Sequence, residues 1–356
     1  MSARLNDEPL SLAVYAILDE SGDQAANYSG ALAEFERAEQ LGVEGVWVRQ
    51  FHLARGARGG LPSPFVFLAW LAARTSRLRL GTGIVTLPLE TPLRVAEDAA
   101  VLDALSGGRL ELGVANGGYQ PGLPELFGRP SYADPAERRS TYLAQFDELL
   151  KAIDGAPLDD LGSRLNPPTP GLTSRVWEAT LSEQSGYDAG IRGHGVLLGT
   201  TQTVPAEVTA RAYYRGLEAR RAQDPDASRP AVAPRVGLAT LVYPGVDRET
   251  ALREAALGIE EKYAWGRDFL GEASTLAEKA TALNLHYGTS DQIAESIDAQ
   301  PGFPYATQLM VQTELFYRSY EHRTDALEQF TSEVAPALGW HAPAPHHDST
   351  PAGATP

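Results

Sequence analysis

Cysteine is absent from all 356 residues, which excludes disulfides, thiolate-bound metals and iron–sulfur clusters and leaves nothing that demands an oxidising compartment. Positive charge is scarce as well. The chain carries 30 basic residues against 46 acidic ones, for a formal net charge of −16, and Lys151, Lys262 and Lys279 are its only lysines. An acidic balance of this size, with no basic run, repels nucleic-acid backbones and anionic membranes, so a small molecule is the expected ligand. No uninterrupted apolar run reaches the length of a membrane span, and the opening MSARLNDEP lacks the apolar core of a secretory signal. The expectation is a soluble, cytoplasmic protein with no membrane or nucleic-acid partner. Metal-ligand spacings are missing too: the His346–His347 pair falls in a tail of low apolar content, and no metal site is expected.

What the chain does have is a regular alternation of β-prone and helical segments. Strands are expected at residues 11–18, 45–49, 78–82, 110–115, 176–180, 196–198, 235–243 and 307–311. Helices are expected at 28–41, 64–75, 93–105, 135–153, 185–192, 205–221, 248–258, 291–300 and 325–338. Eight strands alternating with helices suit an α/β fold closed into a parallel (β/α)8 TIM barrel, and a hydrophobic content of 43% is enough to fill one. The structural alternative is an open doubly wound sheet, which usually carries a glycine-rich dinucleotide turn after its first strand; here that turn reads DESGDQAANYSG. The expected organisation is an N-terminal extension at 1–9, a single barrel domain at 10–340 and a disordered tail at 341–356. Residues 154–175 read as an irregular excursion, and 263–287 as a loop-plus-helix insertion before the last βα unit.

Residues 78–119 encode strand, loop, helix, turn and strand in one run, with Thr91 as a helix cap, Pro92 at the first helical position and Ser106-Gly107-Gly108 as the stop. Within it stand GTGIVTLP, AEDAAVLDALSGGR and ELGVANG, preceded by VWVRQFH and followed by ATLSEQSGYDAGIRGHGVLLG, GTSDQIAESI and DALEQFTSEVAPAL. In order and spacing these segments resemble the luciferase-like flavin-dependent monooxygenases typified by bacterial luciferase, an alkanal monooxygenase, over residues 10–338. The resemblance implies an FMN-dependent monooxygenase. Reduced FMN would come from a separate flavin reductase, and one oxygen atom of O2 would enter a small organic substrate through a flavin hydroperoxide. It also brings two rivals: a deazaflavin-dependent oxidoreductase that transfers hydride, and a flavin-binding protein without turnover. It further implies a homodimer built through helices near the first strands. The apolar helix FVFLAWLAA at 65–73 fits that role, although a helix buried within one chain reads the same way.

In a barrel of this kind function belongs at the C-terminal ends of the strands. Ser182-Glu183-Gln184-Ser185 follows a strand and opens a helix. Either Ser182 simply caps that helix, or its free N–H groups and the hydroxyls of Ser182 and Ser185 cradle a phosphate. The resemblance implies the flavin phosphate, with Arg139 or its neighbour Arg138 as bidentate partner. Asn116-Gly117-Gly118-Tyr119 is a turn or a ligand-facing loop. The resemblance implies flavin contacts from Asn116 and Tyr119, although the family often has arginine at the first position, and Ala115 stands where bacterial luciferase has a reactive cysteine. Gly83–Ile84 is the implied site of a non-prolyl cis peptide beneath the flavin ring, an ordinary glycine bulge being the alternative. Gln50-Phe51-His52 stands where the family carries Glu-His-His, so Phe51 replaces the first histidine and His52 is left, either for acid–base work or as a neutral packing or hydrogen-bonding histidine. Either the substrate needs no general base, or the base comes from elsewhere, such as His286 or Tyr287. Trp47, Phe51, Phe65 and Phe67 are candidate walls of an apolar pocket that excludes water, or else ordinary core.

Overall fold

Along the first strand Leu12, Val14 and Ala16 alternate with Ala13 and Tyr15, and the two sets separate in space: the first joins the core beneath the helices, the second lies inside a ring of strands. The same period sends Val46 and Val48 outward and Trp47 inward, and Leu309 and Val311 outward and Met310 inward. The computed structural model describes residues 9–343 except 20–21, 54–58, 118–121, 131–133, 181, 200–203, 225–230 and 315–318. Its elements are β1 (Ser11–Ala16), α1 (Gln24–Gln40), β2 (Gly45–Val48), α2 (Pro64–Ala72), β3 (Arg79–Thr82), β4 (Val85–Thr86), α3 (Pro92–Leu105), β5 (Leu110–Ala115), α4 (Leu123–Leu126), α5 (Pro135–Ile153), β6 (Val176–Ala179), α6 (Glu183–Arg192), β7 (Gly195–Leu198), α7 (Ala206–Gln223), β8 (Val236–Pro244), α8 (Arg248–Glu254), α9 (Ala256–Leu270), α10 (Leu276–Ala282), β9 (Leu285–Gly288), α11 (Ser290–Asp298), β10 (Gln308–Gln312) and α12 (Tyr320–Gln329). The ring runs β10-β1-β2-β3-β5-β6-β7-β8 and closes through β8 on β10, with Gly237 opposite Gln308. It is the expected closed parallel barrel of eight strands with helices between them. No helix among the described residues is long and apolar enough to cross a membrane.

Inside the ring two indoles fill the barrel. Trp47 and Trp177 meet edge to face with ring centroids 5.1 Å apart. Neighbouring strands make room for them with glycine: a Cβ on Gly81 would lie 2.3 Å from Trp47 Cδ2, and one on Gly195 would lie 2.4 Å from Trp177 Cε3. Below them a polar layer satisfies both ring nitrogens. Trp177 Nε1 donates to Glu111 Oε2 at 2.6 Å, Trp47 Nε1 donates to Gln308 Oε1 at 2.8 Å, and Arg79 Nε donates to Glu111 Oε1 at 2.8 Å. Trp47 is therefore barrel filling beneath the mouth, not an exposed pocket wall.

Helix boundaries follow local chemistry. Asp134 Oδ1 accepts from Ala136 N at 2.8 Å and Pro135 opens α5; Gly107 (φ +67°) and Gly108 (φ +83°) stop α3. Thr91, at the start of α3, does not bond its own helix; its hydroxyl accepts from Arg129 Nη2 at 2.8 Å instead.

Two strands were not legible in the sequence. β4 pairs with β5 beyond a break in β3, and β9 pairs with the far half of β8. β9 lies in the expected loop-plus-helix insertion, where Tyr263, Ala280, Leu283, Leu285 and Tyr287 pack with Leu241 and Tyr243 into a separate apolar cluster. Alternation on β9 divides the two residues expected near the site. Tyr287 joins Ile17, Tyr243 and the partly buried Phe51, whereas His286 points to the opposite face, where its Nδ1 bonds Ser296 Oγ of α11 at 2.8 Å. His286 is thus corrected to a packing histidine in the helix layer.

Burial holds the His286 imidazole down to about 4, from an ordinary value of 6.5. The unfolded chain takes up this proton near pH 6.5 and the native chain only near pH 4. Stability present above pH 6.5 is accordingly lost as pH falls toward 4, by up to about 3 kcal/mol. Urea denaturation of His286→Gln should show a flatter decline across this window than the wild type, and an equal decline would rule out His286 as its source.

Candidate active site

The mouth of the barrel is built where β3 breaks. Thr82 Oγ1 accepts from Gly113 N and donates to Gly113 O, both at 2.8 Å, so a side chain carries the β3–β5 connection across the break. The Gly83–Ile84 peptide that follows is cis. Tyr15 Oη donates to Gly83 O at 2.9 Å, and a Cβ on Gly83 would lie 2.6 Å from Tyr15 Cε2, so only glycine fits over this ring. Ile84, Tyr15 and Ala179 pack against the tryptophan layer from above. Asn116 is half-buried at the end of β5, and Gly117 (φ +71°) crosses Thr86 so closely that a Cβ would lie 2.5 Å from its Cγ2. Tyr119 lies outside the described residues.

A quarter of the way round the rim, α6 begins. Ser182 Oγ accepts from Ser185 N at 3.2 Å, so the plain capping role of Ser182 is real, and the two hydroxyls lie 2.8 Å apart. Arg139 of α5 reaches the same turn. Its Nη1 donates to Ser185 Oγ at 3.2 Å and its Nη2 to Asp188 Oδ2 at 2.7 Å, while Gln184 Nε2 donates to Asp188 Oδ1 at 2.7 Å. Four expected residues, Arg139, Ser182, Gln184 and Ser185, are thus brought together, and Asp188 is a partner that no sequence signal marked. Thr180 Oγ1, buried just before the turn, has no hydrogen-bond partner among the described residues. The helix is closely packed: a Cβ on Gly190 would lie 2.3 Å from Tyr213 O of α7, so α6 and α7 touch backbone to backbone.

The remaining residues come from the end of β2. Gln50 Oε1 accepts from Thr86 N at 2.8 Å, and its Nε2 donates to Glu90 Oε1 at 2.8 Å. His52 Nε2 lies 3.6 Å from the same Glu90 oxygen, is buried with no hydrogen-bond partner among the described residues, and its ring meets Phe127 edge-on at 4.8 Å. Burial lowers the His52 pKa, and the Glu90 carboxylate opposes that shift. Phe65 and Phe67 belong to the α2 layer outside the ring, where Phe67 packs edge-on against Phe35, and do not line the mouth. Tyr15, Arg49 and Glu90 were missed. For Tyr15 and Arg49 the available signal was their inward phase on β1 and β2; Glu90 lies on a turn with no period to read. No group of three or more metal-ligating side chains occurs among the described residues.

The family model for luciferase-like monooxygenases matches residues 11–306. In sequence the chain is 39% identical over 120 residues to 4-hydroxyprotoasukamycin monooxygenase of Streptomyces nodosus subsp. asukaensis, covering 34% of this chain and 30% of the relative. It is 39% identical over 113 residues to an F420-dependent glucose-6-phosphate dehydrogenase of Kineococcus radiotolerans, covering 31% of this chain and 32% of that protein. The aligned part is therefore well under two thirds of the length of either relative. Among solved structures, the oxygenating constituent of 3,6-diketocamphane monooxygenase from Pseudomonas putida, in complex with FMN, superposes with a TM-score of 0.72 at 16% identity, over 92% of this chain and 98% of that one, a likeness of fold. Matched across most of its length, and with the closed parallel barrel to go with it, the chain belongs to the luciferase-like monooxygenase family, whose members include both flavin-dependent monooxygenases and F420-dependent oxidoreductases.

Proposed function

We propose that this protein is an FMN-dependent monooxygenase, supplied with reduced FMN by a separate reductase, that acts in the cytoplasm as a homodimer on a small organic substrate. One observation carries the reading: the Arg139–Ser182–Ser185 turn, a helix N-terminus suited to a phosphate, stands on the same rim as an apolar mouth lined by Ile84 and Tyr15. The side chains fit FMN. Its phosphate would be held by Ser182, Ser185 and Arg139, with the buried Thr180 hydroxyl still to be satisfied, and its ring by Gly83, Ile84, Asn116 and Tyr119. When bound and reduced, FMN supplies the electrons that activate O2.

The chain's own residues have three tasks. Tyr15 holds the Gly83 carbonyl in place, while Phe51, Ile17 and Tyr287 keep water from the mouth. His52, neutral at pH 7 because burial depresses it, can take up a proton at Nε2, and Glu90 steadies the resulting charge. The short cofactor is favoured because acids stand beside the turn, Asp188 and Glu183, in a chain of formal net charge −16, which disfavours a long acidic tail. The deazaflavin reading is supported by the Kineococcus relative and by a likeness of fold to F420-dependent enzymes. On the outer surface Val66 and Trp70 of α2 and Val101 and Leu105 of α3 are exposed on adjoining helices, an apolar patch suited to a second copy of the chain.

Three outcomes are expected. Mixed anaerobically with reduced FMN and then with O2 in a stopped-flow instrument, the protein should delay flavin reoxidation relative to free solution, and Arg139→Ala should weaken FMN binding by about tenfold. Tight deazaflavin binding without any delay would turn the assignment to hydride transfer; tight binding of oxidised FMN without substrate-coupled oxidation would leave a flavin carrier. Because Glu90 raises the His52 pKa, Glu90→Gln should move the acid limb of the kcat/KM profile to lower pH, and an unmoved limb would remove the pair from catalysis. Light scattering should report a dimer for the wild type and a monomer for the Val66→Glu, Trp70→Glu double variant; a wild-type monomer would refute the interface.

A further inference from the structure

The alternation of β2 puts Gly45 and Trp47 inside the barrel, and Arg49, two residues on, continues that face while its backbone N donates to Ala16 O at 3.1 Å. Its guanidinium lies 5.8 Å from the centre of the Tyr15 ring and 5.1 Å from that of Phe51. It is half-buried. Among the described residues it donates no side-chain hydrogen bond and has no carboxylate within ion-pair distance. Other arginines of the barrel are matched: Arg79 by Glu111, Arg175 by Asp103, Arg192 by Glu178, and Arg109 by a set of backbone carbonyls. In a chain with 46 acidic and 30 basic residues, a cation left without an acid at the mouth stands out. Glu314 shares this rim, but its Oε1 accepts from Gln312 Nε2 at 2.9 Å and burial pushes its carboxyl up, which weakens it as a competitor.

We propose that Arg49 is a substrate anchor, and that the substrate class of this site is organic anions whose carboxylate takes the Arg49 guanidinium while an apolar body lies against Phe51, Ile17 and Tyr287. The guanidinium lies over the faces of two aromatic rings and its N–H groups bond no side chain or carbonyl among the described residues, and a planar fork of donors suits a carboxylate. Phe51 then has a purpose of its own, since an imidazole there would titrate beside the cation whereas a phenyl ring only stacks on it. The proposal rests on reading the barrel mouth as the substrate site, and it involves no bond-making step.

The test is binding of benzoate against its neutral isostere benzamide, by calorimetry on the full-length protein without flavin or oxygen. The wild type should prefer benzoate by about tenfold, the charge-assisted bidentate contribution, and Arg49→Met should bring the ratio close to one. Arg49→Lys, which keeps the charge but not the fork, should fall between them and guards against a folding defect in the first variant. Arg139→Ala should keep the preference; if it loses it, benzoate was occupying the phosphate turn and the proposal fails. A wild type without preference, an Arg49→Met variant with the wild-type ratio, or a fall in FMN affinity on Arg49→Met would also overturn it, the last by giving the cation to the cofactor. Benzoate selectivity that survives in a protein unable to delay flavin reoxidation would uphold the anchor and refute the oxygenase, so the two failures are separable.

Discussion

The contact on which the mouth depends is the edge-to-face packing of Trp47 on Trp177 at the centre of the barrel. Eight parallel strands enclose a space that small side chains would leave open, and two indoles close it only because Gly81 and Gly195 yield the volume of a side chain each. Their ring nitrogens would be costly to bury unpaired, and Glu111 and Gln308 accept from them. Glu111 in turn offsets the charge of Arg79. The floor is thus apolar above and polar below.

Everything at the rim stands on that floor. Tyr15 rises one layer above it and fixes the Gly83 carbonyl, Thr82 bridges the broken strand, and Gln50 joins β2 to both β4 and Glu90. Across the mouth, glycine contacts bring α6 and α7 together backbone to backbone, and the serine turn opens α6. Polar and apolar groups are divided around one ring: the serine turn with Arg139 on one arc, His52 with Glu90 and Arg49, which has no ion pair among the described residues, on another. The small apolar cluster over β8 and β9 closes the third side with Tyr287 and Ile17.

Much of this was legible before the structure. The eight ring strands and the helices between them follow from period-two and helical apolar patterns, because burial of one face forces those patterns onto the chain. The serine turn and Gly83 were singled out through the resemblance to the luciferase-like family, spacing alone leaving a plain helix cap and a glycine bulge open. β4 and β9 were not, since Val85–Thr86 and Leu285–Gly288 are too short to show a period and exist only because a neighbouring strand offers free hydrogen-bonding groups. His286 and Tyr287 are adjacent in sequence, and only the pairing of β9 with β8 decides which of them faces the mouth.

The sequence by itself determined the class of fold, the acidic charge balance, the absence of thiol chemistry and the order of the turns at the strand ends, because each is a local property of composition or of the repeat along one element. Only the tertiary structure decided that Arg139 reaches Ser185, that Glu90 faces His52, that Trp47 is floor and not wall, and that Arg49 meets two aromatic rings. Those are contacts between strands and helices tens of residues apart, set by which side of each element turns inward when the ring closes, and no single stretch of chain carries that information.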